Sequence, residues 1–396
     1  MSCCDVRDRF SARFGQPGVV VARAPGRVNL IGEHTDYNDG FVLPIATEQE
    51  TWVAAAPRQD HTARAYSTEL GDQQSWPIDD WPAERIPHWT AYIAGVAALL
   101  RQRGADLDGF DLLIESDVPP GGGLSSSAAL ETAAALALSH LARISLPANE
   151  LIDLCRQAEH DFAGVPCGLM DQSVSLLAKP GCAFLLDCRT REFQHIPCNL
   201  QEHVFVVIDS GVRHKLASSE YARRQQECRQ AVEYFRRRDQ RVRALRDVRL
   251  DAVCAQFEQM DRLPAARARH VASENERTLA AAAALRAGDL TGFGRLMTES
   301  HHSLRDDYQV SCRELDQLVR IVAAVDGVLG ARMTGGGFGG CVVALTNEAR
   351  VPQIEQAIVN DYQPPPGRSA RPLRTHSSRG ASIEFRAEAG GPRVKA

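Results

Sequence analysis

The sequence predicts an α+β protein of two domains, and three observations support this prediction. The 396 residues exceed the usual size of a single domain. In the first half of the chain, short strand-like segments alternate with segments of helical periodicity. Beyond residues 204–208 the composition changes to long stretches rich in Arg, Glu, Gln and Ala, and strand patterns return only near the end. We therefore predict one domain over residues 1–200 and another over residues 201–396.

Local patterns define the individual elements of the first domain. Runs of apolar and β-branched side chains predict strands, because such side chains fill the half-buried surface of a sheet. Longer runs rich in alanine and leucine predict helices. These patterns place strands at residues 19–22, 52–55 and 112–115 and helices at residues 90–103 and 126–142.

In the second domain, the same patterns predict a long helical stretch at residues 265–287. They also predict three strands, at residues 204–208, 340–345 and 381–385. The segment 223–249 is rich in arginine, but acidic residues are interleaved with the arginines. This mixture favours a solvated helix face over a surface that binds phosphate. The residues after Phe385 are typical of a loose tail.

Net charge and the N-terminal sequence narrow the class of partner. The formal charge is -5, so the protein has no overall positive field to attract nucleic acid or anionic lipid, and we expect a small soluble ligand instead. Residues 1–9 are charged where a signal peptide needs an apolar core, and no apolar run is long enough to span a bilayer. We therefore expect a cytoplasmic protein, and a monomer.

The cysteines and a histidine pair do not predict a metal or redox site. The 11 cysteines are scattered without a C-x-x-C pair, which indicates reduced thiols. Cys167 and Cys341 lie in loops of interest, but neither has a neighbouring base, so we interpret both as small apolar fillers. His301 and His302 are adjacent, and adjacent side chains on a helix point about 100° apart, which excludes a shared ligand sphere.

A loop rich in glycine and serine, residues 119–130, passes from a predicted strand into an alanine-rich helix. Three successive glycines, 121–123, allow backbone N–H groups to approach a ligand closely. The serines that follow lie where the unpaired N–H groups and the positive end of the helix would face a phosphate. The loop lacks the lysine of a Walker A motif. Ordinary helix capping is the structural alternative.

A second segment, residues 24–37, gathers Arg27, Glu33, His34 and Asp36 around two glycines. Carboxylates accept hydrogen bonds from sugar hydroxyls, and histidine donates or accepts them. Such a group of side chains suits recognition of a sugar, because the wrong ligand would leave several of them unpaired. An ordinary polar turn is the alternative.

A third segment, residues 159–172, ends with Asp171 between apolar neighbours. An aspartate in that setting needs a partner, and pairing with Arg27 would keep it ionised beside an attacking hydroxyl. A helix N-cap or a structural ion pair is the alternative. A further glycine cluster at residues 332–340 precedes an apolar strand. It either faces the same cleft or forms a tight turn, and glycine spacing alone does not decide between the two.

Taken together and in this order, these segments resemble the superfamily of galactose, homoserine, mevalonate and phosphomevalonate kinases. Residues 26–37, GRVNLIGEHTDY, resemble the signature of the galactokinase family, and residues 120–128, PGGGLSSSA, resemble that family's ATP loop. The likeness covers nearly the whole chain, since three more segments are similar to galactokinases: residues 212–224, 303–312 and 332–341.

The resemblance implies roles for the residues at matching positions. It implies that Asp171 is the catalytic carboxylate and that Arg27 is its partner beside the transferred phosphoryl group. The residues that match galactose-contacting positions are Glu33, His34, Asp36, Gly168 and Tyr221. The residues that match the phosphate cradle are Gly121, Gly122, Gly123, Leu124, Ser125, Ser126 and Ser127. Ser127 and Glu159 match the ligands of Mg²⁺. Trp89 and Tyr92 resemble aromatics near the adenine pocket, with core packing as the open alternative.

The resemblance also implies a fold and a reaction. The expected fold has an N-terminal domain like ribosomal protein S5 and a ferredoxin-like C-terminal domain, with the active site between them. The expected reaction uses ATP and Mg²⁺ to phosphorylate the C1 hydroxyl of galactose, the first committed step of galactose catabolism. Whether Asp171 is a true base or only orients the hydroxyl is open.

Two other functions share these motifs. An N-acetylgalactosamine kinase needs room for an acetamido group, although residues 35–38 resemble the galactose-specific members more closely. A transcriptional co-inducer binds galactose and ATP without catalysis and has a damaged ATP loop, whereas Ser127 and Ala128 are intact here.

Overall fold

The structure is a computed structural model that describes residues 2–80, 88–165, 167–213 and 217–387, with no account of the side chains of residues 217–219. The predicted tail beyond residue 387 and residues 214–216 of the galactokinase-like segment 212–224 lie outside the described residues. Within the described residues, no helix is both long enough and apolar enough to cross a membrane.

Helices and strands are mixed along the chain, as predicted. The strands are β1 Val20–Asn29, β2 Phe41–Val42, β3 Pro44–Pro57, β4 Thr62–Ser67, β5 Asp72–Pro77, β6 Phe110–Ser116, β7 Cys182–Asp187, β8 Phe193–Pro197, β9 His203–Arg213, β10 Val328–Thr334, β11 Gly339–Asn347, β12 Pro372–Thr375 and β13 Ser382–Arg386. The α-helices are α1 Cys3–Phe14, α2 Thr90–Gln102, α3 Ser126–Leu141, α4 Ala148–Asp161, α5 Met170–Leu177, α6 Ala217–Arg236, α7 Leu250–Gln256, α8 Arg262–Ala287, α9 Leu290–Ser303, α10 Arg313–Ala323 and α11 Val351–Asp361.

The strand that begins the candidate sugar segment is longer than the sequence suggests. The pattern of apolar side chains predicts a strand at residues 19–22. The structure instead continues β1 to Asn29, with a shift in its pairing with β3 between Pro25 and Arg27. This irregularity absorbs the proline, so that Arg27 and Asn29 reach the cleft from a strand.

The first half of the chain builds a six-stranded sheet, counted over the described residues, in the order β13-β1-β3-β6-β4-β5. Helices α2, α3 and α4 cover one face through a core that includes Ile93, Leu138 and Leu154. Helix α1 covers part of the other face through Val6 and Phe10. Strand β13 belongs to this sheet although it lies at the end of the sequence, so the chain returns to its first half.

In the described part of the second half, a four-stranded sheet has the order β10-β11-β9-β12. Both faces of β9 are buried, which explains the continuous apolar run at 204–208. Val206 and Ile208 pack against the helices of the second half, whereas Phe205 and Val207 face the other way. That other face shares an apolar cluster with Val28, Leu30 and Ile45 of the first half. This shared core fixes the two halves on either side of a cleft.

The two adjacent histidines lie in different environments, and the cysteines form no disulfide. His301 is buried, and its Nδ1 accepts a hydrogen bond from the Met333 backbone, while His302 is exposed. All 11 cysteines are free thiols. The described residues hold no group of three or more His, Cys, Asp or Glu side chains suited to a metal ion.

Candidate active site

A cavity of about 170 Å³ lies where the end of β1, the start of α5 and the turn between β10 and β11 meet. Its charged and polar lining residues are Arg27, Asn29, Glu33, His34, Asp36, Asp171 and Tyr221. Gly168 lies on the same wall, and Gly335 and Gly336 place the second glycine cluster in the cleft, which the glycine spacing alone left undecided. The seven residues assigned to catalysis or to sugar contact therefore lie on one surface.

Arg27 and Asp171, 144 residues apart, form a two-point ion pair. Arg27 Nε donates to Oδ1 of Asp171 at 2.8 Å, and Nη2 donates to Oδ2 at 2.6 Å. The third guanidinium nitrogen, Nη1, donates to the carbonyl oxygen of Gly123 at 2.7 Å. Ser125 Oγ also donates to Oδ2 of Asp171. The pair is thus held against the glycine and serine loop. From sequence, the pairing of Arg27 with Asp171 is one interpretation among several.

The glycine and serine loop connects β6 to α3 and leaves the start of that helix open. Gly121, Gly123 and Ser125 all have positive φ, of 63°, 73° and 54°. Such a backbone is easy for glycine and strained for serine, and strain of this kind gathers at functional sites. Ser125 occupies the N-cap position, but its side chain caps nothing and turns to Asp171. The first N–H groups of α3 have no side-chain cap and suit a phosphate.

Beside this loop, two buried carboxylates share one amide. Gln172 Nε2 donates to Glu159 at 2.8 Å and to Glu131 at 3.2 Å. Ser127 Oγ donates to the other oxygen of Glu159 at 2.9 Å. Burial raises the pKa of Glu159, with a further contribution from the charge of Asp171, and burial raises the pKa of Glu131 well above its ordinary value. The cluster concentrates acceptor oxygens next to the open helix end.

Glu33 ties the sugar segment to the second half of the chain. Its Oε1 accepts from Thr334 Oγ1 at 2.9 Å and from the Gly335 backbone at 3.1 Å. Its Oε2 lies 2.5 Å from Nη2 of Arg332, which is fully buried. Burial raises the pKa of Glu33, and Arg332 opposes that effect. Glu33 therefore holds the β10–β11 turn in place as well as lining the cavity.

Asp36 and Gly168 face each other across the cavity wall. A Cβ added to Gly168 would lie 2.1 Å from Oδ2 of Asp36, so any larger residue there would displace the Asp36 carboxylate. Burial raises the pKa of Asp36 to about 6, with smaller contributions from the charges of Asp171 and Glu33. The ring of Tyr221 lies beside that of His34, with centroids 5.6 Å apart.

Two lining residues carry buried polar atoms without a partner among the described residues. Asn29 is 1% exposed, and both atoms of its amide are unpaired. His34 is 5% exposed, and its Nε2 is unpaired. Unpaired buried polar groups are costly, so their presence on a cavity wall points to a ligand with several hydroxyls. Asn29 is not among the site residues predicted from sequence, although it lies inside the galactokinase-like segment.

The aromatic pair Trp89 and Tyr92 is divided between two environments. The indole of Trp89 donates to Oδ2 of Asp72 at 2.8 Å, and its ring packs against the core of the first half. Burial raises the pKa of Tyr92 to about 12, with contributions from the charges of Glu159 and Glu131. Tyr92 therefore lies close to the carboxylate cluster. The adenine contact of both residues stays a prediction.

Three family models match the chain. The galactokinase galactose-binding signature matches residues 8–57, the N-terminal domain of the GHMP kinases matches residues 91–179, and their C-terminal domain matches residues 281–363. The signature covers Arg27 and the four residues from Glu33 to Asp36, and the N-terminal domain covers both Asp171 and the glycine and serine loop.

Relatives of known name are similar over most of their length. A galactokinase from Chloroflexus aurantiacus is 48% identical over 96% of this chain and 97% of its own, and the human galactokinase is 44% identical over 90% and 91%. The crystal structure of Lactococcus lactis galactokinase with galactose has a TM-score of 0.88 at 34% identity, over 96% of this chain and 99% of that one. The Methanococcus jannaschii mevalonate kinase, with a TM-score of 0.66 at 17% identity over 91% and 98%, shares the fold.

Proposed function

The chain belongs to the galactokinase family, and we propose that it transfers the γ-phosphoryl group of ATP to the C1 hydroxyl of galactose. The product would be galactose 1-phosphate, which makes this the first committed step of galactose catabolism. The observation that carries the proposal is the two-point pair of Arg27 and Asp171, which lies between the polar cavity and the uncapped start of α3. A sugar in the cavity and a phosphate at the helix would meet at this pair.

The hydrogen bonds of Asp171 leave it room for one more donor. An ionised carboxylate has about four acceptor sites. Two of these take the N–H groups of Arg27 and one takes the hydroxyl of Ser125. The remaining site would accept the C1 hydroxyl and orient its oxygen toward the γ-phosphorus. The new bond forms between that oxygen and phosphorus, the bond to the β-phosphate oxygen breaks, and Asp171 takes the hydroxyl proton.

The transferred phosphoryl group needs its charge offset in the transition state. Arg27 places a guanidinium beside the loop, and the first N–H groups of α3 and the permissive backbone of Gly121 and Gly123 complete the phosphate cradle. Glu33, His34, Asp36 and Tyr221 would fix the sugar, with Asn29 as a further contact. The protein thus contributes position and charge and forms no covalent intermediate.

The residues beside the cradle fit Mg²⁺. This ion prefers hard oxygen ligands and is bound through one or two carboxylates together with substrate phosphates. Ser127 and Glu159 offer such oxygens, and Oε1 of the neighbouring buried Glu131 has no hydrogen-bond partner among the described residues. Bound with ATP, Mg²⁺ supplies positive charge to the phosphates.

A coupled assay of ADP release over a panel of sugars tests the proposal. We expect turnover with galactose and Mg-ATP and much weaker turnover with N-acetylgalactosamine. Turnover limited to N-acetylgalactosamine, or galactose binding without ADP release, would assign the chain to one of the two other functions.

The role of Asp171 has its own test. The variant Asp171→Asn should still bind galactose by calorimetry but lose turnover by a factor on the order of 10² or more, because it cannot take the hydroxyl proton. Asp239→Asn is the matched control, since it disrupts another two-point pair, with Arg241 at the surface. Near-normal turnover in Asp171→Asn contradicts the assignment.

A further inference from the structure

Behind the cavity wall, His34 begins a series of buried hydrogen bonds. Its Nδ1 lies 2.8 Å from the hydroxyl of Tyr37, and that hydroxyl lies 2.7 Å from the hydroxyl of Tyr308. The Tyr308 hydroxyl lies 3.1 Å from Sγ of Cys228, which in turn accepts from Nδ2 of Asn38 at 3.6 Å. We call Tyr37, Tyr308, Cys228 and Asn38 the orienting network. None of its members touches the candidate reaction centre.

We propose that the orienting network holds His34 in the tautomer with its proton on Nε2, so that His34 donates a hydrogen bond to a hydroxyl oxygen of the bound sugar. The identity of that sugar rests on the proposed function. The tautomer itself is a property of the protein without ligand. Tyr37 then acts as a positioning residue that determines how the cavity recognises the sugar.

The far end of the network sets the direction of its hydrogen bonds. Nδ2 of Asn38 also donates to the carbonyl oxygen of His34 at 2.8 Å, and a carbonyl oxygen can only accept. This contact fixes which end of the Asn38 amide carries the hydrogens, so Sγ of Cys228 is an acceptor toward Asn38. The thiol proton then has the Tyr308 oxygen as its acceptor.

The two tyrosines donate their hydrogen bonds in the same direction, from Cys228 toward His34. If the Tyr308 oxygen accepts the thiol proton, its own proton goes to Tyr37, and the proton of Tyr37 goes to Nδ1 of His34. Each hydrogen then has one acceptor. The opposite order would leave the thiol proton without an acceptor and give sulfur, a weak acceptor, two donors. Tyr308 is fully buried, so water cannot compensate for a bond that its hydroxyl loses.

The cavity end of the network favours the same tautomer. Burial lowers the pKa of His34 to about 3, so the ring is neutral and carries one proton. With Nδ1 occupied by Tyr37, Nε2 is the ring nitrogen left to meet a ligand. The cavity is rich in acceptors, since Glu33, Asp36 and Asp171 all line it. A sugar hydroxyl that gives its single proton to a carboxylate can still accept a bond from Nε2.

Nitrogen NMR of protein labelled with ¹⁵N-histidine tests the tautomer directly, because a protonated and a bare ring nitrogen have well-separated chemical shifts. The His34 signals are assigned by their loss in His34→Gln. We expect the ligand-free protein to show a protonated Nε2 and a bare Nδ1. A protonated Nδ1 in the native protein overturns the proposal.

The variant Tyr37→Phe tests the link to function. It removes the donor to Nδ1, so we expect the second tautomer to become populated and the KM for galactose to rise on the order of 5- to 10-fold, with kcat within about twofold. Tyr234→Phe is the matched control, since it removes a tyrosine hydroxyl bonded to Gln256 elsewhere in the second half. An unchanged tautomer and an unchanged KM in Tyr37→Phe overturn the proposal.

A second variant covers the case in which Tyr37→Phe does not fold. Tyr308→Phe leaves the hydroxyl of Tyr37 in place but removes its donor, so we expect a mixture of tautomers and a smaller rise in KM, about threefold. The NMR result also separates this inference from the proposed function. If galactose is not phosphorylated but Nε2 is protonated, only the proposed function fails.

Discussion

At the scale of single residues, the acidity of Asp36 makes sugar binding depend on pH. Burial and the charges of Asp171 and Glu33 raise its pKa to about 6. Above that pH the side chain is an ionised acceptor for a sugar hydroxyl, and below it the carboxyl is protonated and accepts more weakly. Because galactose prefers the ionised form, its Kd should rise as pH falls through 6, by at most about tenfold per pH unit.

Calorimetry with galactose alone, from pH 5 to pH 8, measures this dependence without interference from the phosphates of ATP. The variant Asp36→Asn should bind more weakly at every pH and show a Kd that is flat between pH 5 and pH 7. The exposed Asp60 has its pKa lowered to about 2 by Arg58, so Asp60→Asn should keep the native profile. A native Kd that is constant down to pH 5 contradicts the role given to Asp36.

Local sequence pattern reveals some of the site residues but not the contacts between them. Arg27, His34 and Asp36 stand out as a group of polar side chains around two glycines, although the same pattern also fits an ordinary polar turn. Glu131 does not stand out, since it lies in an alanine-rich helix whose pattern shows no polar face. Its burial and its link through Gln172 to Glu159 become visible only when α3, α4 and α5 are packed together.

At the scale of elements, strand β11 supports the glycine and serine loop. The thiol of Cys341, on β11, donates to the carbonyl oxygen of Gly122 at 2.6 Å. A Cβ added to Gly123 would lie 3.5 Å from the same sulfur, so the loop rests directly on it. From sequence we interpret Cys341 as an apolar filler, and its full burial agrees, but it also provides a hydrogen bond across the cleft.

We expect Cys341→Ala to loosen the loop and raise the KM for ATP about threefold to tenfold, because one buried hydrogen bond is lost. The Kd for galactose should not change, since the sugar residues do not contact this sulfur. Cys341→Ser keeps a donor and should restore the KM for ATP to within about twofold. Steady-state kinetics with varied ATP provide the measurement, and a native KM in Cys341→Ala would show that the loop does not need this support.

Element patterns predict some of the strands and helices but not their limits. Strand β9 is predicted at residues 204–208 because both of its faces are apolar, yet it extends to Arg213. Strand β1 extends past Pro25 through the shift in its pairing with β3, which a pattern of single residues cannot represent. Local propensity ends each element where polarity changes, whereas sheet pairing continues as long as a partner strand is available.

At the scale of the whole molecule, pairing between distant parts of the chain determines which sheet each strand joins, and local sequence patterns do not predict it. Strand β13 is predicted as a strand, but its pairing joins Val20 to Arg386 at opposite ends of the chain. Arg23 connects the same regions through an ion pair with Glu384. Nothing in a local pattern specifies which sheet edge a strand will join. The proposed division at residue 200 therefore puts β13 in the second domain by its position in the sequence, whereas its pairing puts it in the sheet of the first half.

The two halves are also connected by a buried ion pair that crosses the cleft, and this suggests one cooperative unit. Arg332 is fully buried, donates to the carbonyl oxygen of Leu30 at 3.0 Å and pairs with Glu33. Its loss would leave the charge of Glu33 buried without its partner, which typically costs about 3–5 kcal/mol. The apolar cluster shared by both halves should make them unfold together.

We therefore expect Arg332→Met to lower the free energy of unfolding in urea by about 3–5 kcal/mol, with a single transition retained. Arg374→Met is the control, because Arg374 pairs with Glu348 at the surface, where such pairs contribute about 0–1 kcal/mol. Galactose should raise the free energy of unfolding by more in the native protein than in the Arg332→Met variant. In the variant, Glu33 is no longer held at the cavity. Two separate transitions in the native protein, or a loss below about 1 kcal/mol in Arg332→Met, would mean that the halves are stable independently and that the cleft is not fixed by this pair.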